Sequence, residues 1–259
     1  MSDETVCGRI DARLRALRLP GALERYRDLA DEFGVGEPGL GFLDACLQEE
    51  MDSRKHRRYE RNLRAARFPV VKELGGFNFA AIPSVSKTQV EELATGRFIA
   101  AHETVLLVGN AGTGKTHLLT GLGVAAIEKG YRVRFVTAAT LINELLLSRA
   151  EFRVPKVMRQ YAAFDLVLVD ELGYLPLNQE ASQMLFTFFS ERYETRSTAL
   201  TTNLPFAKWT QIFGDETLTV ALLDRLTHRS HVLLCNGESY RRQESKRRAV
   251  ATDRPRSEA

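Results

Sequence analysis

Short apolar runs alternate with longer stretches of helical periodicity over roughly the last two thirds of the chain. Five runs rich in valine, leucine or threonine predict strands near residues 104–108, 131–136, 165–169, 198–202 and 231–235. Such alternation is typical of a parallel sheet with helices on both faces. The pattern therefore predicts an α/β fold in which a parallel five-stranded sheet is sandwiched by helices.

The first part of the chain has a different pattern, in which apolar residues recur at helical spacing. Two amphipathic helices are predicted over residues 10–33, and Pro20 and Gly21 separate them. Their apolar faces are formed by Ile10, Leu14 and Leu17, and by Leu23, Tyr26, Ala30 and Phe33. The glycine- and proline-containing segment 34–39 is expected to interrupt the helical pattern, and another helix is expected from about Gly41.

A glycine-rich segment follows the first predicted strand and precedes an apolar, helical stretch. Residues 109–116 match the pattern Gly-x-x-x-x-Gly-Lys-Thr, in which glycines let backbone N–H groups point at a polyphosphate. We expect Lys115 to reach the β- and γ-phosphates and the Thr116 hydroxyl to ligate Mg²⁺. The predicted nucleotide contacts are Gly109, Asn110, Ala111, Gly112, Thr113, Gly114, Lys115, Thr116 and His117. The alternative is a glycine-rich turn that matches by chance, and the flanking strand and helix argue against it.

Two carboxylates follow the third predicted strand. Residues 164–169 form an almost continuous apolar run, as expected for a parallel strand buried on both faces, and Asp170 and Glu171 end it. Open α/β sheets bind their ligands at the carboxyl ends of their strands. We expect Asp170 to hold Mg²⁺ through water and Glu171 to activate the water that attacks the γ-phosphate. The alternative is a pair of solvated acids at the start of a turn.

Two further residues complete the predicted catalytic set. Asn203 follows the fourth predicted strand, where its amide would bond both the attacking water and the γ-phosphate. Arg225 lies between the last predicted helix and the last strand, and it would reach the γ-phosphate of a neighbouring subunit as an arginine finger. Arg225 has the alternative role of a cation at a helix end, and Arg229 is a competing candidate for the finger.

Composition narrows the class of protein. Hydrophobic residues make up 44% of the chain, which is enough for a sizeable core, and the formal net charge is +3. No apolar run reaches the roughly 18 residues that a membrane span needs. The acidic amino terminus has no apolar signal segment, so we expect a cytoplasmic protein.

The positive charges are concentrated in two segments. The first comprises Arg54, Lys55, Arg57, Arg58, Arg61, Arg64, Arg67 and Lys72, and the second comprises Arg241, Arg242, Lys246, Arg247 and Arg248. Clustered cations of this kind favour a nucleic acid backbone, with salt-dependent and sequence-tolerant binding. The alternative is a solvated helix face, and the predicted nucleotide site nearby favours DNA.

The sequence resembles the IstB-like family of AAA+ ATPases. Members of this family assist insertion-sequence transposition and are related to DnaC-type helicase loaders. The resemblance covers nearly the whole chain. It rests on residues 109–117, 169–176, 202–206, 213–215, 222–229 and 236–241, and at the amino-terminal end on 48–54 and 64–69. The most specific of these segments are Asp-Glu-Leu-Gly-Tyr-Leu-Pro and Asp-Arg-Leu-Thr-His-Arg.

The resemblance implies a small AAA+ core without a helical lid domain. It also implies the cofactors ATP and Mg²⁺, ATP-controlled homo-oligomers on double-stranded DNA, and delivery of that DNA to an IstA-like transposase. In related initiators and loaders an extra helix between the second and third strands lines the central channel, which implies DNA contacts for Arg149, Arg153, Lys156 and Arg159. Arg241 is a candidate for the second sensor arginine of this family.

We therefore expect an all-α domain over residues 1–75 that binds DNA or a partner, an AAA+ domain over 76–240, and a basic, disordered tail over 241–259. Two other functions are considered beside the transposition ATPase. A helicase loader would share the ATPase core, but the basic helical segment favours DNA over a helicase surface. A small-molecule kinase would share the phosphate loop, but it has no need for Glu171, Asn203 and an arginine acting between subunits.

Overall fold

The computed structural model describes residues 5–174, 176–237 and 239. The predicted basic tail, including Arg241, lies outside the described residues. The described helices are α1 (Val6–Leu17), α2 (Pro20–Glu32), α3 (Glu37–Ala66), α4 (Lys87–Ala94), α5 (Arg97–Ala100), α6 (Lys115–Glu128), α7 (Ala138–Ala150), α8 (Val154–Ala162), α9 (Gln179–Arg192), α10 (Thr210–Phe213) and α11 (Glu216–His228). The strands are β1 (Thr104–Val108), β2 (Val133–Thr137), β3 (Leu166–Leu172), β4 (Ser197–Thr202) and β5 (Ser230–Leu234). Single 3₁₀ turns lie at Leu74–Gly76, Phe79–Ala81 and Phe206–Lys208.

Contacts divide the chain into two compact units, residues 1–61 and 62–259, and the division falls within the long helix α3. The predicted functional boundary at residues 75 and 76 stays a prediction. Among the described residues, no helix combines the length and the apolar character that a bilayer crossing demands.

The first unit is helical, as its sequence periodicity predicts. Thr5 caps the start of α1, since its hydroxyl accepts a hydrogen bond from the N–H of Gly8. Its apolar stripe is buried together with residues of α2 and α3 in a small core, which is formed by Ile10, Leu14, Leu17, Tyr26 and Leu47. The prediction of a break through residue 39 was wrong, because α3 already begins at Glu37. Pro38 in its first turn needs no helical N–H partner, so it suits a helix start.

The second unit is built on a parallel five-stranded sheet in the order β2-β3-β4-β1-β5. Helices α7, α9 and α11 cover one face, where Leu106, Val169 and Leu200 are buried. Helix α6 covers the other face, where Gly123 lies against Leu168. The predicted sheet, sandwiched by helices, is therefore confirmed. Because β3, β4 and β1 are neighbours, their carboxyl ends bring three distant segments of the chain to one edge of the sheet.

Candidate active site

A cavity of about 1170 Å³ opens at the carboxyl ends of the three central strands. Its walls come from the loop after β1, the ends of β3 and β4, and the segment before α4. The predicted site residues that line it are Ala111, Gly112, Thr113, Gly114, Lys115, Thr116, His117, Glu171 and Asn203. The sheet therefore brings together the glycine-rich loop, Glu171 near the carboxyl end of β3 and Asn203 directly after β4, as the sequence predicted.

The shape of the glycine-rich loop depends on glycines, and both Gly109 and Gly114 lie against other segments of the chain. Gly114 precedes α6 in the left-handed region, with φ of 81°, and a Cβ there would lie 2.7 Å from the ring of Phe77. A Cβ on Gly109 would lie 2.1 Å from the carbonyl oxygen of Cys235. The loop is thus packed between two other segments, and a larger residue at either glycine would displace it.

Hydrogen bonds fix the loop internally. The hydroxyl of the buried Thr113 donates to the carbonyl oxygen of Asn110 over 2.8 Å. The Lys115 ammonium donates to the carbonyl oxygens of Gly109 and Asn110, both over 2.7 Å. Lys115 is also the first residue of α6, so its charge and the positive end of the helix dipole lie at the same place. The arrangement favours binding of a polyphosphate anion.

The two predicted metal ligands lie in direct contact. The Thr116 hydroxyl is 2.9 Å from Oδ2 of Asp170, although 54 positions separate the two residues in sequence. Asp170 is only 4% exposed, and it also accepts a hydrogen bond from the hydroxyl of Thr201 over 2.6 Å. One hydroxyl and one carboxylate suit Mg²⁺, which prefers hard oxygen ligands and completes its shell with phosphate oxygens and water.

Glu171 differs from its neighbour in exposure and in backbone shape. Its side chain is exposed and lines the cavity, whereas Asp170 is buried. Its φ of 62° places a non-glycine residue in the left-handed region, which is strained and often found at functional sites. Its N–H donates to the hydroxyl of Thr201 over 2.9 Å. Thr201 therefore bonds both predicted acidic residues, and sequence reasoning missed it.

The far wall of the cavity is formed by the irregular segment around residues 71–82, which sequence reasoning had not assigned to the site. Nε2 of His117 lies 2.9 Å from the carbonyl oxygen of Glu73, and the His117 ring packs edge-on against Phe77 at 5.4 Å. His117, which was predicted to contact the nucleotide, thus connects the start of α6 to this wall. Phe77, which packs over the loop, also lines the cavity and offers an apolar surface to a flat ligand group.

The two finger candidates lie elsewhere. The predicted place of Arg225 between the last helix and the last strand was wrong, because Arg225 lies in the last turn of α11. Nη1 of Arg225 donates to the carbonyl oxygen of Ala221 in its own helix over 2.8 Å, and its guanidinium lies 4.9 Å from the ring centre of Phe186. Arg229 is exposed and lies 3.9 Å from a carboxylate oxygen of Glu103. Neither arginine is among the described residues that line the cavity of its own chain.

The predicted DNA-binding cations lie on exposed helical surfaces. Those on α3 are Arg54, Lys55, Arg57, Arg58, Arg61 and Arg64, and all six are exposed. Arg54 and Arg57 each lie within ion-pair distance of Glu50, at 2.5 and 3.4 Å, so part of their charge is compensated.

The second predicted set lies on the hairpin of α7 and α8 and the turn between them. Arg149, Arg153, Lys156 and Arg159 are all exposed. Arg149 lies 3.2 Å from Glu180, and Arg153 pairs with Glu151. Within the part of the chain that the structure describes, Lys156 and Arg159 on α8 are exposed and form no ion pair, so their charges are more accessible to an external anion than those of Arg149 and Arg153.

Comparison with known proteins agrees with this geometry. The profile of the IstB-like ATP binding protein family matches residues 12–249. A Pseudomonas aeruginosa protein named as an ATP-binding protein of insertion sequence IS21 is 41% identical over 211 residues, 82% of this chain and 80% of that protein. A Sinorhizobium fredii protein named as an insertion sequence ATP-binding protein is 38% identical over 237 residues, 91% of this chain and 80% of that protein.

Solved structures share the fold at lower identity. The DnaC helicase loader matches with a TM-score of 0.50 at 20% identity, over 57% of this chain and 86% of that one. DnaA from Aquifex aeolicus, solved with AMPPCP bound, matches with a TM-score of 0.55 at 18% identity, over 73% of this chain and 57% of that one. The strand order, the glycine-rich loop and the relatives agree, and the chain belongs to the IstB-like ATP-binding protein family, with the P-loop fold of AAA+ proteins.

Proposed function

We propose that this chain is an AAA+ ATPase that hydrolyses ATP, assembles as a homo-oligomer on double-stranded target DNA in the cytoplasm and assists an IstA-like transposase. The observation that carries the ATPase part is the contact between Thr116 and Asp170. This contact lies beside the exposed Glu171, on the same cavity as Lys115. A buried acid for the metal and an exposed acid for water are the two carboxylates that ATP hydrolysis needs.

Each residue has a distinct part in the proposed reaction. The loop N–H groups and Lys115 bind the β- and γ-phosphates. Thr116, together with Asp170 acting through water, would hold Mg²⁺, which would neutralise phosphate charge when bound. Glu171 accepts the proton of the attacking water. Asn203, on the same cavity after β4, orients that water with its amide. The water oxygen then bonds to the γ-phosphorus, the bond between that phosphorus and the β–γ bridging oxygen breaks, and ADP and inorganic phosphate leave.

Arg225 supplies its charge to the next subunit. Its place in the last turn of α11, away from its own cavity, supports action on a neighbour's γ-phosphate. The guanidinium is held by Ala221 and Phe186 through contacts that a phosphate oxygen can replace or share. An arginine in this position stabilises the charge that develops on the transferred phosphoryl group.

DNA is the partner that the exposed cations favour. The cations of α3 and of the α7–α8 hairpin present rows of Lys and Arg, which suit a phosphate backbone without reading its sequence. The relatives at 38% and 41% identity carry insertion-sequence names, which supports a role beside a transposase.

A DnaC-like helicase loader is the second candidate, because the DnaC structure shares the fold. The two functions differ in what the ATP-bound oligomer serves. A strand-transfer assay with the transposase of the same insertion sequence and a helicase-loading assay with a replicative helicase separate them. Stimulation in the second assay alone would replace transposition by helicase loading.

Complementation between two inactive variants tests the oligomeric ATPase. Arg225→Ala should bind ATP and lose about 10³-fold in kcat, whereas Lys115→Ala should lose ATP binding. Mixed in equal amounts with DNA present, they should recover roughly a quarter of the wild-type rate. The reason is that a Lys115→Ala subunit still lends Arg225 to an intact neighbouring pocket. Sizing in ATP and in ADP reports assembly alongside the rate.

Three outcomes would contradict parts of this proposal. Normal hydrolysis by Arg225→Ala, with loss in Arg229→Ala, would assign the finger to Arg229. Normal hydrolysis by both arginine variants, Arg225→Ala and Arg229→Ala, together with no complementation in any mixture, would overturn action between subunits. A wild-type protein that binds ATP but shows no hydrolysis on any DNA would overturn the ATPase itself.

A further inference from the structure

Strands β3 and β4 lose their register at the active site. Between two pairs of matched positions, β3 has two residues, Asp170 and Glu171, where β4 has only Thr201. An extra residue of this kind is a β-bulge, which bends a strand and redirects a side chain. Here the bulge leaves Asp170 buried at the metal position and turns Glu171 out into the cavity.

The bulge requires a backbone shape that glutamate disfavours. The φ of 62° at Glu171 lies in the left-handed region, and a side chain with a Cβ adopts it only when surrounding contacts hold it there. The contact that holds it is the hydrogen bond from the Glu171 N–H to the Thr201 hydroxyl, 2.9 Å long. A side chain of β4 thus serves as the acceptor for a residue displaced by the bulge.

The direction of the hydrogen bonds at Thr201 is fixed by simple counting. A hydroxyl has one proton to donate, and Thr201 donates it to Oδ1 of Asp170 over 2.6 Å. The acceptor is a carboxylate, which makes this the stronger of its two bonds. Because the Thr201 proton is donated to Asp170, the Thr201 oxygen acts as the acceptor for the Glu171 N–H. One rotamer of Thr201 therefore makes both hydrogen bonds.

We infer that Thr201 is a positioning residue for ATP hydrolysis, holding the backbone of Glu171 so that its carboxylate faces the attacking water. The inference rests on the proposed ATPase activity. Thr201 acts through Glu171, and Asp170 is the anchor that orients its hydroxyl. Asp170 retains its bond with Thr116 when Thr201 is changed, so we expect nucleotide and metal binding to be largely kept and the chemical step to be slowed.

Two substitutions at Thr201 and one matched control test the role. Thr201→Val keeps the shape and removes the hydroxyl, and we expect kcat to fall by roughly 10- to 100-fold with the ATP KM within about 3-fold of wild type. Thr201→Ser restores the hydroxyl and should keep kcat within about 3-fold. Thr198→Val makes the same buried change in the same strand, at a hydroxyl that bonds Arg192 instead, and should leave kcat per folded molecule unchanged.

A second experiment asks whether Thr201 acts through Glu171. In a Glu171→Gln background, single-turnover rates should change by less than about 2-fold on adding Thr201→Val, because the carboxylate that it positions is already gone. Amide hydrogen exchange of the folded proteins gives a readout independent of activity. The Glu171 N–H should exchange faster in Thr201→Val than in the wild type or in Thr198→Val.

The outcomes separate this inference from the proposed function. A wild-type protein without ATPase activity removes the proposed function and the positioning role together. An active wild type with Thr201→Val near its rate overturns the inference alone. So does an equal loss in the Thr201→Val and Thr198→Val variants, which would indicate a general loss of stability. A full additional loss in the Glu171→Gln background would also overturn it, since Thr201 would then act by another route.

Discussion

The two ends of strands β3 and β4 carry polar clusters of opposite character. At the amino ends, the guanidinium of Arg192 is 4% exposed and donates to the carbonyl oxygens of Tyr161, Phe164 and Ser197 and to the hydroxyl of Thr198. Burial lowers the pKa of Arg192, and the ring of oxygens replaces the water that its charge has lost. The cluster connects α9 to α8, to the turn before β3 and to β4, and Arg192 is buried within it.

At the carboxyl ends, the cluster is only half closed. Thr116 and Thr201 donate to the buried Asp170, while the carboxylate of Glu171 stands exposed in the cavity on a strained backbone. The Thr201 hydroxyl bonds the buried Asp170 and also holds the backbone of Glu171, whose carboxylate is exposed in the cavity.

The two clusters differ in solvent exposure more than in residue type. The Arg192 cluster is buried, whereas the cluster around Asp170 and Glu171 opens onto the cavity. Thr198 and Thr201 are both buried threonines of β4, three positions apart, so their side chains lie on opposite faces of the sheet. Thr198 accepts from an arginine that donates four hydrogen bonds, and Thr201 bonds two acids beside a cavity. The same strand thus contributes to a buried cluster at one end and to the proposed catalytic site at the other.

The largest expected effect lies at the open end. Glu171→Gln should lower kcat by roughly 10²- to 10⁴-fold, because an amide cannot accept the proton of the attacking water. The apparent Kd for ATP and the free energy of unfolding should stay close to wild type, since Glu171 is exposed. Steady-state ATPase rates, nucleotide titration and denaturant unfolding measure the three quantities. Hydrolysis within a few-fold of wild type would remove Glu171 from this role.

A change in the buried Arg192 cluster should lower stability and leave kcat nearly unchanged. Arg192→Met leaves several buried oxygens without a donor, at roughly 1–3 kcal/mol for each that finds no new partner, so we expect a loss of about 2–4 kcal/mol in the free energy of unfolding. The kcat per folded molecule should change by less than about 2-fold. Denaturant unfolding and active-site titration check both values. A large loss of kcat in fully folded protein would show that the two ends are coupled and would break the comparison.

Exposed cations form a third case, with the smallest effect. Replacing Lys156 and Arg159 by alanine should leave unfolding unchanged and should reduce the slope of log Kd against log salt for DNA by roughly 2, about 0.9 per lost phosphate contact. Lys87→Ala with Lys208→Ala removes the same net charge from other exposed positions and is the matched control. Equal slopes in both double variants would assign DNA binding to overall charge, not to the α7–α8 hairpin.

The sequence predicted those parts of the site that depend on local pattern. The five strands were placed within about two residues of their observed starts, because each is an apolar run between segments of helical period. The glycine-rich loop was found because its spacing is itself the signal, and the two acids were found because they end the apolar run of β3, which extends past them to Leu172. Thr201 was not found, since nothing local distinguishes it from Thr198 or Thr202, and its role arises only from a bulge in the neighbouring strand.

Two other features also depend on contacts that sequence patterns do not carry. The segment around residues 71–82 has no periodicity, and it becomes a wall of the cavity only through its packing against His117 and Gly114. The role of Arg225 depends on a second subunit, so it stays a prediction.

The close approach of the chain after β5 to the glycine-rich loop has a practical consequence for anyone who labels or shortens this protein. The Cys235 carbonyl lies against Gly109, and Ser239 lies against Gly112, so a truncation placed before residue 235 would remove part of the support of the loop. The Cys235 thiol is buried, and burial raises its pKa to about 11, whereas Cys46 is exposed. Thiol-reactive dyes will therefore mark Cys46 first, and a dye forced onto Cys235 would report on a distorted loop.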